Sequence, residues 1–170
     1  MGASMITAQV LCLVFASASP PDFYLSKSRK SLACKSAKQI LSESKEVGLE
    51  PTLVMALITI ESNWKRNAVS SANACGLTQV IPKYTGKITK KHTCKQLQIP
   101  RNSIYVGVRT LKFWINHHNN DISRGLCGYN AGFRCHGKKP NKHGMRYARK
   151  VLKVKSMLDD MVDEQVKKLQ

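Results

Sequence analysis

The sequence predicts a single, mainly α-helical domain, and three observations support this fold class. The chain has 170 residues, which suffice for one hydrophobic core but not for two. Apolar residues recur at helical spacing in several long segments, whereas no segment shows the strict alternation of a half-buried strand. Glycine and proline stand between these segments, where helices end and begin. The apolar content of 42% argues against wholesale disorder.

Three segments are predicted to be amphipathic helices because their apolar residues fall on one stripe: residues 32–47, 102–118 and 145–169. Residues 65–99 are polar and contain two glycines and a proline, so we expect a loop with short helical turns. Residues 119–125 are expected to form a turn, and residues 126–133 a short helix or turn.

A further helix is predicted to begin at Pro51 and to run to Trp64. Proline fits the first turn of a helix, and residues 53–60 are apolar except for Thr59. A helix that is apolar on all sides belongs at the centre of a core. The β-branched residues of this segment leave a buried strand as the alternative. The sequence therefore predicts a buried central helix that ends at Glu61 or shortly after it.

Residues 1–18 resemble a secretory signal peptide. A short apolar stretch, residues 6–16, leads into an A-x-A pattern that ends at Ala18, so we expect cleavage there and export to the periplasm or beyond. No Lys or Arg precedes Lys27, so the usual charged start is missing and an uncleaved anchor is the alternative. The apolar stretch is shorter than the roughly 20 residues needed to cross a bilayer. Residues 19–31 are expected to be an exposed leader, and the folded domain to cover residues 32–170.

Five cysteines follow the predicted cleavage site: Cys34, Cys75, Cys94, Cys127 and Cys135. An odd number in an exported protein leaves one thiol unpaired. Pairing of Cys127 with Cys135 and of Cys75 with Cys94 closes two local loops and leaves Cys34 free. Spacing does not prove this connectivity, and buried, reduced cysteines in a cytosolic protein are the alternative. The nearby histidines, His136 and His143, fit no standard zinc spacing with these cysteines, so no metal is expected.

The formal charge of +18 is concentrated in residues 51–158. This stretch contains 20 Lys and Arg residues but only two acids, Glu61 and Asp121, whereas the rest of the chain has eight of each sign. Such a field favours a polyanionic partner: a nucleic acid, an anionic membrane surface or cell-wall polymers. The basic residues are scattered and aromatic residues make up only 6%, which disfavours extensive base stacking. A basic nucleic-acid-binding protein is therefore the more distant alternative, and no specific nucleic-acid partner is expected.

Glu61 is the unusual residue of the predicted central helix, because it follows eight largely apolar residues. Burial without a cationic partner raises the pKa of a carboxyl group, and the negative end of the helix dipole acts in the same direction. A carboxyl group that keeps its proton near neutral pH can protonate a glycosidic oxygen. The alternative is a helix-terminal glutamate that points to water or pairs with Lys65 at i+4.

Two motifs, one running from Glu61 to Pro82 and the other a Tyr-Asn-Ala-Gly stretch that begins at Tyr129, resemble those of the soluble lytic transglycosylases. The matching residues of the first are Glu61, Ser62, Trp64, Ala68, Ser70, Gly76, Leu77, Gln79 and Pro82. The second is the Tyr-Asn-Ala-Gly stretch at residues 129–132, and Tyr147 then begins a helix like the closing helix of the family. Asn67, Cys75 and Thr78 depart from the common pattern but leave the acid unchanged. The resemblance covers residues 34–155 and implies a lysozyme-like fold.

The resemblance also implies a reaction, the non-hydrolytic cleavage of peptidoglycan between N-acetylmuramic acid and N-acetylglucosamine. Ordinary glycosidases need two carboxylates, whereas the basic stretch offers only Asp121 besides Glu61, in a loop unsuited to a buried nucleophile. Glu61 is expected to protonate the glycosidic oxygen while the muramic N-acetyl group stabilises the developing cation. Glu61 then takes the proton of the 6-hydroxyl of the sugar, which closes a 1,6-anhydro ring without water, metal or cofactor.

Supporting roles follow from the same resemblance. Ser70 is expected to contact the N-acetyl group or Glu61, and Gln79 to hydrogen-bond the glycan. Tyr129 is expected to donate its hydroxyl to Glu61, and Asn130 to shape the same turn. The alternative for each is purely structural: a turn residue, a surface polar group or a core tyrosine with a satisfied hydroxyl.

The expected partners are peptidoglycan glycan strands and, through charge, anionic polymers of the cell envelope. The protein is expected to act as a monomer, either with a secretion or conjugation apparatus or as a phage-encoded, virion-borne enzyme. The nearest alternative is a muramidase of the goose-lysozyme type, which shares the fold and the single glutamate but adds water.

Overall fold

The computed structural model describes residues 6–17 and 24–170, which form one packed set of helices. In chain order these are α1 (Ala8–Ser17), α2 (Lys27–Val47), α3 (Pro51–Ser62), α4 (Pro82–Thr85), α5 (Cys94–Leu97), α6 (Pro100–His117), α7 (Ile122–Ala131) and α8 (Lys142–Leu169). A 3₁₀ helix covers Gly132–Cys135. Two isolated β-bridges pair Cys75 with Val69 and with Val80, and the described residues contain no strand. The predicted mainly α fold class is confirmed.

Helix α3 is the buried centre of the domain. Pro51 occupies its first turn, and all eight residues from Thr52 to Thr59 are buried. Helices α2 and α8 pack against it, so an element that is apolar on every side is covered on every side. The chain then turns sharply, because Asn63 and Trp64 both adopt left-handed backbone angles, with φ of 48° and 62°. The helix predicted from Pro51 is confirmed and ends two residues earlier than expected.

Helices α6 and α7 pack closely, and the turn expected between them is partly helical. Helix α7 begins at Ile122 because the Asp121 carboxylate accepts a bond of 2.9 Å from the main-chain nitrogen of Arg124. The prediction of a turn over residues 119–125 is therefore wrong for its second half. Gly125 allows α7 to approach α6 closely, since a Cβ at this position would lie 2.4 Å from a side-chain atom of Ile115 in α6.

Helix α8 closes the domain across α3 and α7. Its buried apolar stripe includes Val151, Val154, Leu158 and Val162. The helix begins at Lys142, three residues before the predicted start, because the Asn141 side chain accepts a bond of 2.9 Å from the main-chain nitrogen of Gly144. This arrangement places Tyr147, in the second turn of α8, beside the end of α3.

The chain before α2 differs from the exposed leader expected over residues 19–31. Residues 18–23 lie outside the described part, so the structure bears on residues 24–31. Leu25 is only 2% exposed because it packs into the main hydrophobic core, and α2 already begins at Lys27. The segment is therefore held to the domain through Leu25, whereas Tyr24, Lys27, Ser28 and Ser31 are exposed to solvent.

Helix α1, which belongs to the predicted signal peptide, is packed into the same core. Leu11, Val14 and Phe15 are fully buried, and the Phe15 ring meets the Trp64 indole edge-on at a centroid distance of 5.1 Å. Cleavage after Ala18 stays a prediction. Helix α1 has 10 residues, and no helix in the described ranges is long and apolar enough to cross a membrane.

All six cysteines form disulfides: Cys12–Cys34, Cys75–Cys94 and Cys127–Cys135. The two local pairings inferred from the sequence are confirmed. The prediction that Cys34 is free is wrong, because it counted only the cysteines beyond the expected cleavage site. Cys12 of α1 lies against α2, with 4.1 Å between its Cα atom and that of Cys34.

The 170-residue chain, without cleavage, is expected to contain no free thiol. Alkylation in denaturant without reduction should leave the intact mass unchanged, and alkylation after reduction should add six groups. A chain cleaved after Ala18 lacks Cys12, so it should gain one group at Cys34 without reduction. Intact-mass measurement with peptide mapping distinguishes the two forms. Labelling of Cys75 or Cys127 before reduction would contradict the pairings described above.

Candidate active site

Glu61 lies in the last turn of α3, where the apolar core meets a cleft. The residue is partly exposed through the cleft, but its carboxyl group is surrounded by protein, and this burial raises the pKa from 4.5 to about 7. The Tyr147 hydroxyl donates a hydrogen bond of 2.5 Å to Glu61 Oε1, which lowers the pKa by a smaller amount. The partner of Glu61 is therefore Tyr147, and Lys65 is exposed to solvent. Near neutral pH, a large fraction of molecules carries a protonated Glu61.

The cleft has a volume of about 650 Å³ and gathers all the residues that the sequence predicted for the site. Its walls include Glu61, Ser70, Gln79, Tyr129 and Asn130. These residues come from the end of α3, the loop that follows it, and α7. Residues separated by up to 69 positions in the chain thus face one cavity of a size that holds a ligand.

The hydrogen bonds of the two tyrosines of the site differ from those that the sequence suggested. The Tyr129 hydroxyl donates a bond of 2.7 Å to the main-chain oxygen of Thr78, so the expectation that it holds Glu61 is wrong. Tyr147 makes that bond instead. Burial, followed by the nearby Glu61 carboxyl group, raises the pKa of both phenols well above 10, so both remain donors. Sequence reasoning recognised Tyr147 only as the start of a helix, since nothing in the local pattern shows that α8 crosses α3.

The loop from Gly76 to Gln79 is held rigidly between α3 and α6. The Thr78 hydroxyl donates a bond of 2.9 Å to the main-chain oxygen of Ser103, whose hydroxyl in turn accepts a bond of 3.1 Å from the Thr78 nitrogen. Gly107 of α6 permits this contact, because a Cβ there would lie 2.4 Å from Thr78. The loop that carries Gln79 is therefore fixed before any ligand binds.

The polar residues of the first motif line the cleft and also form hydrogen bonds with the main chain around them. Gln79 adopts φ of 51°, and its amide nitrogen donates bonds of 3.1 and 3.0 Å to the main-chain oxygens of Ala68 and Gly76. Its side-chain oxygen is the atom that can accept a bond from a glycan. Ser70 Oγ accepts a bond of 3.1 Å from the main-chain nitrogen of Ala74, as a turn residue does.

Among the residues that the structure describes, Glu61 is the only one lining the cleft that carries a carboxyl group. The other acid of the basic stretch, Asp121, caps α7 and lines a second cavity of about 380 Å³ together with His117, His118 and His136. Asp121 therefore does not supply a second carboxylate to the cleft. Within the described ranges, no group of three or more His, Cys, Asp or Glu residues is arranged to hold a metal ion.

The structure resembles an inactive mutant of the lytic transglycosylase Slt from Pseudomonas aeruginosa. The TM-score is 0.66 at 20% sequence identity, and the match covers 73% of this chain and 24% of that one. Fold and site together define a helical domain of the lysozyme-like class, with one buried carboxyl group in the cleft that residues 6–17 and 24–170 form. Residues 38–152 match the family described as Transglycosylase SLT domain, and the chain belongs to this family.

Curated relatives carry the name membrane-bound lytic murein transglycosylase C. The relative from Haemophilus ducreyi is 31% identical over 103 residues, which cover 52% of this chain and 28% of the relative. The relative from Actinobacillus pleuropneumoniae is 43% identical over 44 residues, or 26% of this chain and 12% of the relative. The chain thus spans between about an eighth and a quarter of the proteins that it matches.

The Tyr147→Phe variant is expected to raise the pKa of Glu61 above 7. A hydrogen bond to a charged group contributes roughly 1.5–3 kcal/mol, and its loss should raise the pKa by about one unit or more. Tyr129→Phe is the matched control, because its hydroxyl bonds to Thr78 and its removal should leave the pKa of Glu61 near 7. A titration of the Glu61 carboxyl carbon by NMR measures both values. Equal shifts in the two variants would show that Tyr147 does not act directly on Glu61.

Proposed function

We propose that this chain is a peptidoglycan lytic transglycosylase with Glu61 as its single catalytic carboxyl group. It cleaves the β-1,4 bond between N-acetylmuramic acid and N-acetylglucosamine without water. One observation carries the proposal: in a chain of the Transglycosylase SLT domain family, the one carboxyl group that lines the cleft within the described residues has its pKa raised to about 7. A group with this pKa can donate a proton and take one back at neutral pH.

The first step is the donation of a proton by Glu61 to the glycosidic oxygen. Oε1 accepts a bond from Tyr147, so Oε2 is the oxygen that carries the proton. The bond from the anomeric carbon of the muramic acid to the glycosidic oxygen breaks, and that oxygen leaves as the hydroxyl of N-acetylglucosamine. The muramic N-acetyl group stabilises the positive charge at the anomeric carbon. Tyr147 then holds the new Glu61 carboxylate in place.

The second step returns a proton to Glu61. Its carboxylate takes the proton from the 6-hydroxyl of the muramic acid, and the oxygen of this hydroxyl bonds to the anomeric carbon. The product is a 1,6-anhydro ring, and Glu61 is protonated again for the next cycle. No second carboxylate is required, which agrees with the position of Asp121 outside the cleft.

The remaining site residues hold the glycan or the groups that touch it. Ser70 and Asn130 line the cleft, and the proposal assigns to their side chains the contacts with the N-acetyl group and the sugar hydroxyls. Gln79 accepts a bond from the glycan through its side-chain oxygen. Tyr129 ties the second motif to Thr78 and so keeps α7 at a fixed distance from the loop of the first motif.

The proposed substrate lies outside the cytoplasmic membrane, so the proposal includes export. Three disulfides are typical of proteins in an oxidising compartment. We propose that the protein acts there as a monomer, in the service of a secretion or conjugation apparatus or of a phage particle. Its positive charge concentrates it on anionic polymers of the envelope.

Digestion of purified peptidoglycan is expected to give muropeptides lighter by one water than hydrolysis products, because the chain end closes on its own 6-hydroxyl. Glu61→Gln should abolish the cleavage, since an amide cannot donate the proton. Glu164→Gln makes the same change at an exposed position in α8 and should cleave normally. The rate should fall as the pH rises above about 7, where Glu61 loses its proton. Mass spectrometry of the digests reads out each result.

Two results of this digestion would contradict the proposal. Reducing-end products that depend on Glu61 would move the chain to the hydrolases of the goose-lysozyme type. The absence of cleavage by the unmutated protein would refute glycan cleavage altogether, and salt-dependent binding of DNA would then be measured.

Activity on intact peptidoglycan is expected to fall about tenfold or more between 0.05 and 0.5 M salt, because salt screens the attraction of the basic surface to anionic polymers. Binding of the uncharged N-acetylglucosamine hexamer by the Glu61→Gln variant serves as the control, since it should change far less with salt. Turbidity loss of peptidoglycan and calorimetric titration of the hexamer provide the two measurements. An equal salt dependence of both would mean that the charge of +18 does not act through the substrate.

A further inference from the structure

One side of the cleft is formed by three aromatic residues, Phe113, Trp114 and Phe133, which we call the aromatic wall. Phe133 is 66% exposed and Phe113 is 41% exposed. Large apolar side chains that gather in one exposed patch usually mark a binding surface. The aromatic wall lines the same cavity as Glu61, so a ligand bound by the carboxyl group extends toward it.

The rings of the wall are fixed relative to one another. The Trp114 indole meets Phe113 edge-on at 5.2 Å and Phe133 edge-on at 5.1 Å between ring centroids. Trp114 also lies directly over Gly128 of α7, where an added Cβ would come within 2.6 Å of the indole. His117 supports Phe133 from behind at a centroid distance of 5.3 Å.

Phe133 stands on a segment with little conformational freedom. It belongs to the 3₁₀ helix Gly132–Cys135, which the disulfide Cys127–Cys135 ties back to α7. Both cysteines are fully buried. The Arg134 side chain adds a bond of 3.1 Å from its Nε to the main-chain oxygen of Ala131. The exposed ring is therefore presented to the cleft at low entropic cost, which favours a rigid ligand contact.

We propose that the face of Phe133 stacks on a pyranose ring of the glycan strand, one or more sugars away from the bond that Glu61 cleaves. This inference rests on the proposed function, because it assigns a sugar subsite to the same cleft. A β-1,4-linked pyranose carries its substituents equatorially, so its two faces present C–H groups that match an exposed aromatic ring. Asn130 lines the same cleft and is exposed, so its amide is available to the hydroxyls of the bound glycan. The cleft therefore combines an apolar ring with a polar side chain, as a sugar requires.

The experiment measures binding in the Glu61→Gln background, so that no cleavage occurs, with the hexamer and the trimer of N-acetylglucosamine as probes. Phe133→Ala should weaken hexamer binding about tenfold, the effect of losing one stacked ring and the apolar area that it covers. The affinity gained between trimer and hexamer should shrink. Phe133→Tyr keeps the ring and should bind as the parent does. Isothermal titration calorimetry gives the dissociation constants.

Two controls separate stacking from a loss of structure. Tyr24→Ala removes an aromatic ring that is 84% exposed and stands apart from the residues that line the cleft, and hexamer binding should not change. Phe133 is largely exposed, so its removal should leave the thermal unfolding midpoint unchanged.

The outcomes distinguish this inference from the proposed function. If Phe133→Ala leaves hexamer binding unaltered, the subsite is overturned. The proposed reaction is tested separately, by the products of peptidoglycan digestion. An equal loss in Phe133→Tyr and Phe133→Ala also overturns stacking, because the ring is kept in the first variant. Failure of the parent to bind either oligomer overturns the subsite, and the products that the unmutated protein releases from peptidoglycan still decide the proposed function.

Discussion

The buried carboxyl group of Glu61 is the constraint on which the rest of the site depends. Its pKa of about 7 in the folded protein lies above the ordinary 4.5, so the folded state binds this proton more tightly than the unfolded chain. The contribution to stability is present in full below pH 4.5 and is lost as the pH rises through 7. The free energy of unfolding is therefore lower above pH 7 than below pH 4.5 by at most about 3 kcal/mol. Packing of the surrounding core has to offset this loss. Helix α3 meets this need because eight consecutive buried residues anchor the turn that carries Glu61.

The two motifs are held against that helix by covalent and polar links rather than by apolar burial alone. The Ser62 hydroxyl donates a bond of 2.8 Å to the main-chain oxygen of Leu77, and Tyr129 donates to the next residue, Thr78. One disulfide, Cys75–Cys94, closes the loop of the first motif, and Cys127–Cys135 spans the second. Loops that carry functional groups are usually the mobile parts of a domain. Here hydrogen bonds and disulfides tie both loops to the helices beside them.

The distribution of charged residues also allows Glu61 to keep its proton near neutral pH. Several acids outside the basic stretch pair with cations that do not line the cleft, as Glu43 and Glu46 do with Arg109, at 2.6 Å each. Lys87 and Arg134 line the cleft, yet the pKa of Glu61 is set by burial and by Tyr147. A cation in contact with the carboxyl group would have lowered its pKa and removed the proton at neutral pH. The basic surface and the neutral acid are therefore compatible because they are kept apart.

The sequence by itself determined the helical class, the buried central helix and the candidacy of Glu61, because periodicity and helix ends depend on residues within a few positions of one another. The Cys75–Cys94 and Cys127–Cys135 pairings were accessible for the same reason, since each closes a short loop. Only the tertiary structure decided that Tyr147, and not Tyr129, bonds to Glu61, because this depends on how α8 crosses α3. It also decided the partner of Cys34 and the assembly of the aromatic wall. These contacts join residues from distant parts of the chain, and helix packing, which no local pattern encodes, brings them together.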